Sequence, residues 1–318
     1  MTTYWDAMLG NITGLLRSKG MWEDSLVVLT TDNGGPAYWT TPDVERNWPP
    51  LVPGAKKGYA HGGGANNWPL RGSKVSNWEG GTRGASFVSG GFLPEAVRGT
   101  VLDEQLHVTD WYSTFCHLAG VDPEDPNKVG TRSDGTKFDL PGIDSINMWG
   151  LISGSERKSP RREIPVCIDM PLQRGATALI VDDYKLLLGP QRLSSWQGPA
   201  FPNGTAPYGV DFGPMLDCGN DDTLEGGCLF NIRTDPAETT DLARELPELL
   251  ESMKNRYVFL RMTSLNQEWV GIENFGPRGF VANWSSQPAP KEFVEMLRAN
   301  RGIIGPWLQP RSDEELVV

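Results

Sequence analysis

A chain of 318 residues, 38% hydrophobic and 22% charged, is long enough for one large domain or two ordinary ones, each with a substantial core. Its 29 basic against 40 acidic residues give a net charge of −11, which excludes a general attraction to nucleic acid or an anionic membrane; an anionic ligand needs a local basic cluster. No apolar run approaches the roughly 20 residues of a membrane span, and Met1 leads into Thr-Thr-Tyr-Trp, which does not read as a signal peptide.

Residues 3 to 19 set Tyr4, Met8, Ile12, Leu15 and Leu16 at helical spacing with Gly20 as a stop, predicting an amphipathic helix. "SLVVLTT" follows, a short β-branched run expected to be a strand buried on both faces, as in a parallel sheet covered by helices. From Gly34 to Arg83 periodicity is nearly lost, and so long an irregular stretch reads as an active-site loop system. A strand is expected at 85 to 91, then a helix capped by Thr109 or Asp110, displaying Trp111, Phe115 and Leu118 and closed by Gly120.

Between 121 and 165 the composition turns to Pro, Asp, Gly, Ser and basic residues, and we place a domain boundary there, dividing the chain into 1–160 and 161–318. Beyond it, "ATALIVDDYKLLLG" predicts two strands around an Asp182-Asp183 turn and "CLFNI" a third, hence an antiparallel sheet. "PELLESMKNRYVFLRM" predicts a helix with Pro247 in its first turn and Leu250, Met253, Tyr257 and Leu260 on one face.

Asp32 and Asn33, in "TTDNGG", stand where a strand should end. Asn-Gly is a hairpin signal, so one reading is a solvated Asx turn; however, "PAYWTTPDVERNWPP" after it offers no alternating return strand. The other reading uses the rule that ligands gather beyond the carboxyl ends of α/β strands. An adjacent carboxylate and carboxamide are hard oxygen donors suited to Ca²⁺ or Mg²⁺, with further ligands required from elsewhere.

In "NNWPLRGSKVSNWEGGTRGASF" the cations Arg71, Lys74 and Arg83 lie among glycines that permit close backbone approach. Ammonium beside guanidinium suits a tetrahedral oxyanion, phosphate or sulfate; alternatively these are surface charges, one of them paired with Glu79. His61, in "YAHGGGANN", is close enough in sequence to contact the same ligand, whereas His107 and His117 bracket a helix and read as structural.

Cys116 reads as a buried thiol. Cys218 and Cys228 flank the polar loop "GNDDTLEGG" and are expected to form a local disulfide in an oxidising compartment. Sequons at Asn11, Asn203 and Asn283 fit such a compartment, the last two in loops and Asn11 on the first helix.

"LVVLTTDNGG", "NNWPLRGSKVSNWEGGTRGASFVSGG", "HVTDWYSTFCHLAGV" and "LPGIDSINMWGLISG", in that order, resemble the second half of the sulfatase family, most closely its N-acetylgalactosamine-4-sulfatase branch. "DDYKLLLG" and "CLFNIRTDPAETTDLARELPELLESM" resemble the carboxy-terminal domain of the same proteins. The resemblance implies an α/β fold like alkaline phosphatase: 1–160 as the second half of the large α/β domain, 161–318 as a smaller α+β domain with an antiparallel sheet.

It also implies calcium ligation by Asp32 and Asn33, sulfate contact by Lys74, and hydrolysis of aryl or carbohydrate sulfate esters; Arg71 and His61, by their place in the sequence beside these residues, are the candidate substrate contacts. The partner is then a sulfated small molecule or glycan, and the location the secretory pathway, lysosomal or extracellular.

The family's nucleophile, a formylglycine made within a C/S-x-P-x-R motif, has no counterpart; "KSPRR" has Lys158 at the nucleophile position. The chain is therefore expected to be a carboxy-terminal portion carrying part of the site, inactive alone and with uncovered apolar surface. Two alternatives stay open. One is a phosphoryl-transfer member of the superfamily, using zinc; the other is a non-catalytic secreted glycoprotein that binds carbohydrate through loop tryptophans Trp39, Trp48, Trp68 and Trp78.

Overall fold

The structure, a computed structural model, describes residues 2–36, 65–124, 128–131, 137–139, 142–168, 176–196, 198, 215–220 and 223–263. Helix α1 spans Thr2–Ser18 and ends before Gly20, whose φ of 67° is the left-handed conformation glycine adopts at low cost. Its apolar residues do not find a core among the described residues: Tyr4 is 73% exposed and Leu15 59%.

Strand β1 (Val27–Thr30) pairs antiparallel with β2 (Ser86–Ser89), Val28 opposite Val88 and Leu29 opposite Phe87. This corrects the expectation of a strand buried on both faces of a parallel sheet. Among the described residues the pairing is antiparallel, and Val27, Val28 and Leu29 are only half-buried. The return strand exists after all, but it comes more than fifty residues after the Asn-Gly pair, so the long loop system separates the two strands.

One face explains the half-burial. Leu26, Val28 and Val88 pack on a cluster of Leu93, Trp111, Met148, Leu151 and Ile152, while Phe87, on the other face, is exposed. Exposed apolar side chains thus lie on α1 and on the outer face of this ribbon.

A short helix α2 (Glu79–Thr82) precedes β2, and α3 (Asp110–Ala119) follows it, closed by Gly120 at φ 67°. The expected side-chain cap is absent from α3. Instead Asp110 accepts from the His107 N–H at 2.8 Å and pairs through both oxygens with the buried Arg161 guanidinium. Trp111 is buried, but Phe115 stacks on it from an exposed position and Cys116 is half-buried, so the thiol is less sheltered than the pattern suggested. His107 touches Thr109 at 2.8 Å; its pKa is lowered by burial and then by Arg161. Strands β3 (Val129–Thr131) and β4 (Lys137–Asp139) form a separate antiparallel pair, and α4 (Trp149–Ile152) adds Leu151 and Ile152 to the first core.

The second sheet is antiparallel throughout. β5 (Glu163–Cys167), β6 (Thr177–Val181) and β7 (Tyr184–Gln191) are neighbours in that order, and β7 also pairs with β8 (Leu216–Cys218) and β9 (Cys228–Asn231). The expected hairpin is present, with Val181 opposite Tyr184 and Asp182 at φ 50°. The Cys218–Cys228 disulfide is formed and ties β8 to β9, both of which flank β7.

Helix α5 (Pro247–Thr263) buries Leu250, Met253 and Tyr257 against Leu179, Leu186, Leu188 and Leu229. Side chains alternate along a strand; Lys185, Leu187 and Phe230 therefore face the other way. Leu187 and Phe230 pack there with Ala178, Cys228 and the fully buried Trp78 from the loop before α2. The second sheet is thus a platform, α5 on one side and the glycine-rich cation loop on the other.

Candidate functional site

The β1–β2 ladder runs one step past the strands, with Thr31 N–H donating to Ala85 O at 3.0 Å, and the next residue is Asp32. Its carboxylate is exposed and has no hydrogen-bond or ion-pair partner among the described residues. Asn33 is half-buried; its amide nitrogen donates to Gly34 O at 2.8 Å, which leaves the side-chain oxygen open as a ligand.

Gly34 and Gly35 then join this segment to the cation loop. Gly34 N–H donates to Gly81 O at 2.9 Å, and a Cβ on Gly34 would sit 1.9 Å from Gly80 O, so no other residue fits. Gly35 O accepts from Lys74 N–H at 3.2 Å, from Ser73 Oγ at 3.3 Å and from Asn67 Nδ2 at 2.8 Å, while Gly35 N–H donates to Asn67 Oδ1 at 3.0 Å. Two segments about forty residues apart are thereby laid side by side, Asp32 and Asn33 on one and Lys74 on the other.

The Lys74 side chain is half-buried and has no ion-pair partner among the described residues. Val75, next to it, holds φ at 70°, a left-handed conformation that a β-branched residue adopts only when its surroundings impose it, at a cost of about 1–3 kcal/mol.

Arg71 is placed differently from Lys74. It is 8% exposed, its guanidinium lies 3.8 Å from the Trp78 ring centroid and 4.3 Å from that of Trp196, and it donates to Ser194 O at 2.7 Å and Glu238 O at 3.0 Å. Burial lowers its pKa to about 10 against the opposing pull of Glu238 and Asp235, so it stays charged at neutral pH. These contacts direct the guanidinium to protein carbonyls and rings. Trp78, fully buried with its Nε1–H on Arg192 O at 3.0 Å, is packed rather than presented to a sugar; Trp68 is 53% exposed. His61, Trp39, Trp48, Asn203 and Asn283 lie outside the described residues.

Glu79 pairs with none of the loop cations. Its Oε1 accepts from Lys185 Nζ at 2.9 Å, and Lys185 Nζ also lies 3.0 Å from Glu238 Oε1. All three side chains are buried. That second contact is an ion pair off the line of a hydrogen bond, since Glu238 Oε1 has no hydrogen-bond partner. Glu238 Oε2 accepts from the Glu79 N–H at 2.7 Å. The pKa of Glu238 is raised to about 7 by burial, against the pull of Lys185 and with added repulsion from Glu79. That of Lys185 is raised: burial alone would lower it, but Glu238 and Glu79 outweigh burial.

The sequence reading missed Lys185 and Glu238. A signal was present for the first, a lone lysine inside the otherwise apolar run "LLLG" and "ALIV" hairpin, whose alternation puts it on a covered face.

Calcium takes six to eight oxygen ligands; the Asp32 carboxylate and the Asn33 side-chain oxygen, neither with a partner among the described residues, could hold only a part of such a shell. Both are hard donors of the right kind. Among the described residues no group of three or more His, Cys, Asp or Glu could hold a metal by itself.

The fold matches the crystal structure of PsFucS1 sulfatase from Pseudoalteromonas sp., with a TM-score of 0.50 and 24% identity over 80% of this chain and 41% of that one. The architecture is therefore that of the sulfatases, the alkaline-phosphatase-like class of α/β fold. The sequence agrees: the chain is similar to arylsulfatase J of Mus musculus, 28% identical over 331 aligned positions. That similarity covers 98% of this chain and 44% of arylsulfatase J, so the chain spans less than half the length of this curated relative. No protein-family model matches the chain.

Proposed function

We propose that the chain carries part of the cation and sulfate site of a calcium-dependent sulfuric ester hydrolase acting on aryl or carbohydrate sulfates. The observation that supports this most is the backbone join at Gly34 and Gly35, which sets two oxygen donors and a lysine, none of the three engaged by another side chain, along one edge. A calcium ion held by Asp32 and Asn33 would supply positive charge against the sulfate oxygens.

In this reading Lys74 places its ammonium on the sulfate and offsets the negative charge that grows on the ester oxygens as the S–O bond breaks. The glycines at 34, 80 and 81 let the segments that carry these residues pack backbone to backbone, where any Cβ would strike a neighbouring carbonyl. Arg71 acts from behind, holding the loop rather than the substrate. The nucleophile is not assigned to a residue of this chain, and the isolated chain is expected to be inactive. A secretory location is in keeping with the Cys218–Cys228 disulfide.

The test is binding of inorganic sulfate to the full chain, with and without calcium, for the native sequence and for Lys74→Ala and Asp32→Ala. The reading expects calcium to strengthen binding and either substitution to weaken it about tenfold or more, the worth of one charge-assisted contact. Binding that is indifferent to calcium and to Lys74 would overturn it, and zinc in place of calcium would favour phosphoryl chemistry.

A further inference from the structure

The Lys185, Glu79 and Glu238 cluster lies on the platform side of the cation loop, and its contacts can be followed to Lys74. Lys185 is fixed in β7, in register with Ile180 of β6 and Phe230 of β9. From there its ammonium reaches Glu79 and Glu238. Glu79 opens α2, and the peptide units just after it are the ones that grip the site: Gly80 N–H donates to Arg71 O at 2.7 Å, and Gly81 O receives Gly34 N–H at 2.9 Å. A Cβ on Gly80 would lie 2.5 Å from Arg71 O, so the fit has no slack. Glu238 holds the same unit twice, through its carboxylate on the Glu79 N–H and its carbonyl on Arg71, and does so with its own backbone at φ 53°.

Buried ion clusters are poor stabilisers compared with apolar side chains of similar size, because desolvation offsets the attraction. Their contacts are directional, however, and fix one arrangement where apolar packing tolerates several. Here the two carboxyl groups share Lys185, with Arg71 nearby: the Glu79 carboxylate accepts from Lys185 in β7, the Glu238 carboxylate accepts from the Glu79 N–H, and the Glu238 carbonyl accepts from Arg71.

We propose that Lys185, Glu79 and Glu238 are positioning residues for Lys74: they lock α2 onto the second sheet and thereby set where Lys74 stands relative to Asp32 and Asn33. The proposal rests on the sulfate-site reading for the purpose of the arrangement, but the arrangement itself is tested separately.

The experiment compares hydrogen–deuterium exchange, by mass spectrometry, in the segments 31–36 and 71–82 with that in 177–188, for the native chain, Glu238→Gln and the triple variant K185M/E79M/E238Q. Inorganic sulfate affinity in calcium buffer and the urea midpoint are measured alongside. Glu238→Gln should accelerate exchange in the two loop segments about tenfold and weaken sulfate severalfold, with 177–188 unchanged. The triple variant, which removes Lys185 together with both carboxyl groups and leaves Arg71 its carbonyl and ring contacts and the charge of Asp235, should keep or raise the urea midpoint and still show fast loop exchange and weak sulfate binding.

Native protection of both loops in the triple variant would overturn the proposal. Equal acceleration in the loops and the sheet would also overturn it, since that is general destabilisation. Should Glu238→Gln not fold, the triple variant decides. If Lys74→Ala leaves sulfate affinity unchanged, the functional reading fails while the exchange result still stands or falls alone.

Discussion

Replacing Glu238 by Gln should remove a pH dependence of stability, with a sign that the structure fixes. Burial raises its pKa from the usual 4.5 to about 7, Lys185 pulling it back and Glu79 pushing it up. Between those values the folded chain keeps a proton that the unfolded chain releases, so the contribution is fully present below about pH 4.5 and is lost as pH rises through about 7. The change is on the order of 3 kcal/mol, taking about 1.4 kcal/mol for each pH unit of displacement. The groups facing this carboxyl are Lys185 from β7 and Glu79 from α2; Arg71, on its carbonyl, is in turn influenced by Asp235.

His107 works in the opposite sense. Its pKa is lowered by burial and Arg161, so its contribution is lost as pH falls through the range below 6.5. Glu104 is lowered chiefly by the Ser159 N–H, and Asp182 chiefly by Arg162; both lose their contributions only in acid below the usual carboxylate range. These groups are common to both proteins and cancel in the difference. Urea midpoints at pH 5 and 7.5 provide the assay: the native chain should lose more stability than Glu238→Gln on going to pH 7.5. Parallel profiles for the two would refute the assignment of a proton to this buried cluster.

Reduction of Cys218–Cys228, or its replacement by a Ser pair, should cost about 2.5 kcal/mol in urea unfolding, the loop-closure value for a sequence separation of 10; no change would mean that the β7 ladders alone fix this loop. Gly34→Ala should break the join, since its Cβ would meet Gly80 O at 1.9 Å, and should show as loss of sulfate binding with about 1–3 kcal/mol of destabilisation. Gly14→Ala, in α1 with nothing within 4 Å of the added carbon, should instead stabilise by up to about 1 kcal/mol, and a loss there would count against the helix.

What the amino-acid order determined by itself was local. The 177–191 hairpin, the helix at 247–263 and the 218–228 bridge depend on alternation, helical spacing and short separation, which neighbours a few residues away supply. The oxygen pair at 32 and 33 and the cations at 71 and 74 were visible as residue types, and the family motif was visible as well.

The tertiary structure decided their partners. Arg71 and Lys74, three residues apart, look equivalent in the sequence, yet one is clamped between tryptophans and the other has no ion-pair partner among the described residues. The half-burial of β1 followed from which layer covers it, and Trp78 became core because the second sheet closes over it. Glu79 meets Lys185 across 106 residues and Glu238 across 159. At such separations sequence pattern carries no pairing information; the register of β7 and the glycine contacts bring the charges together.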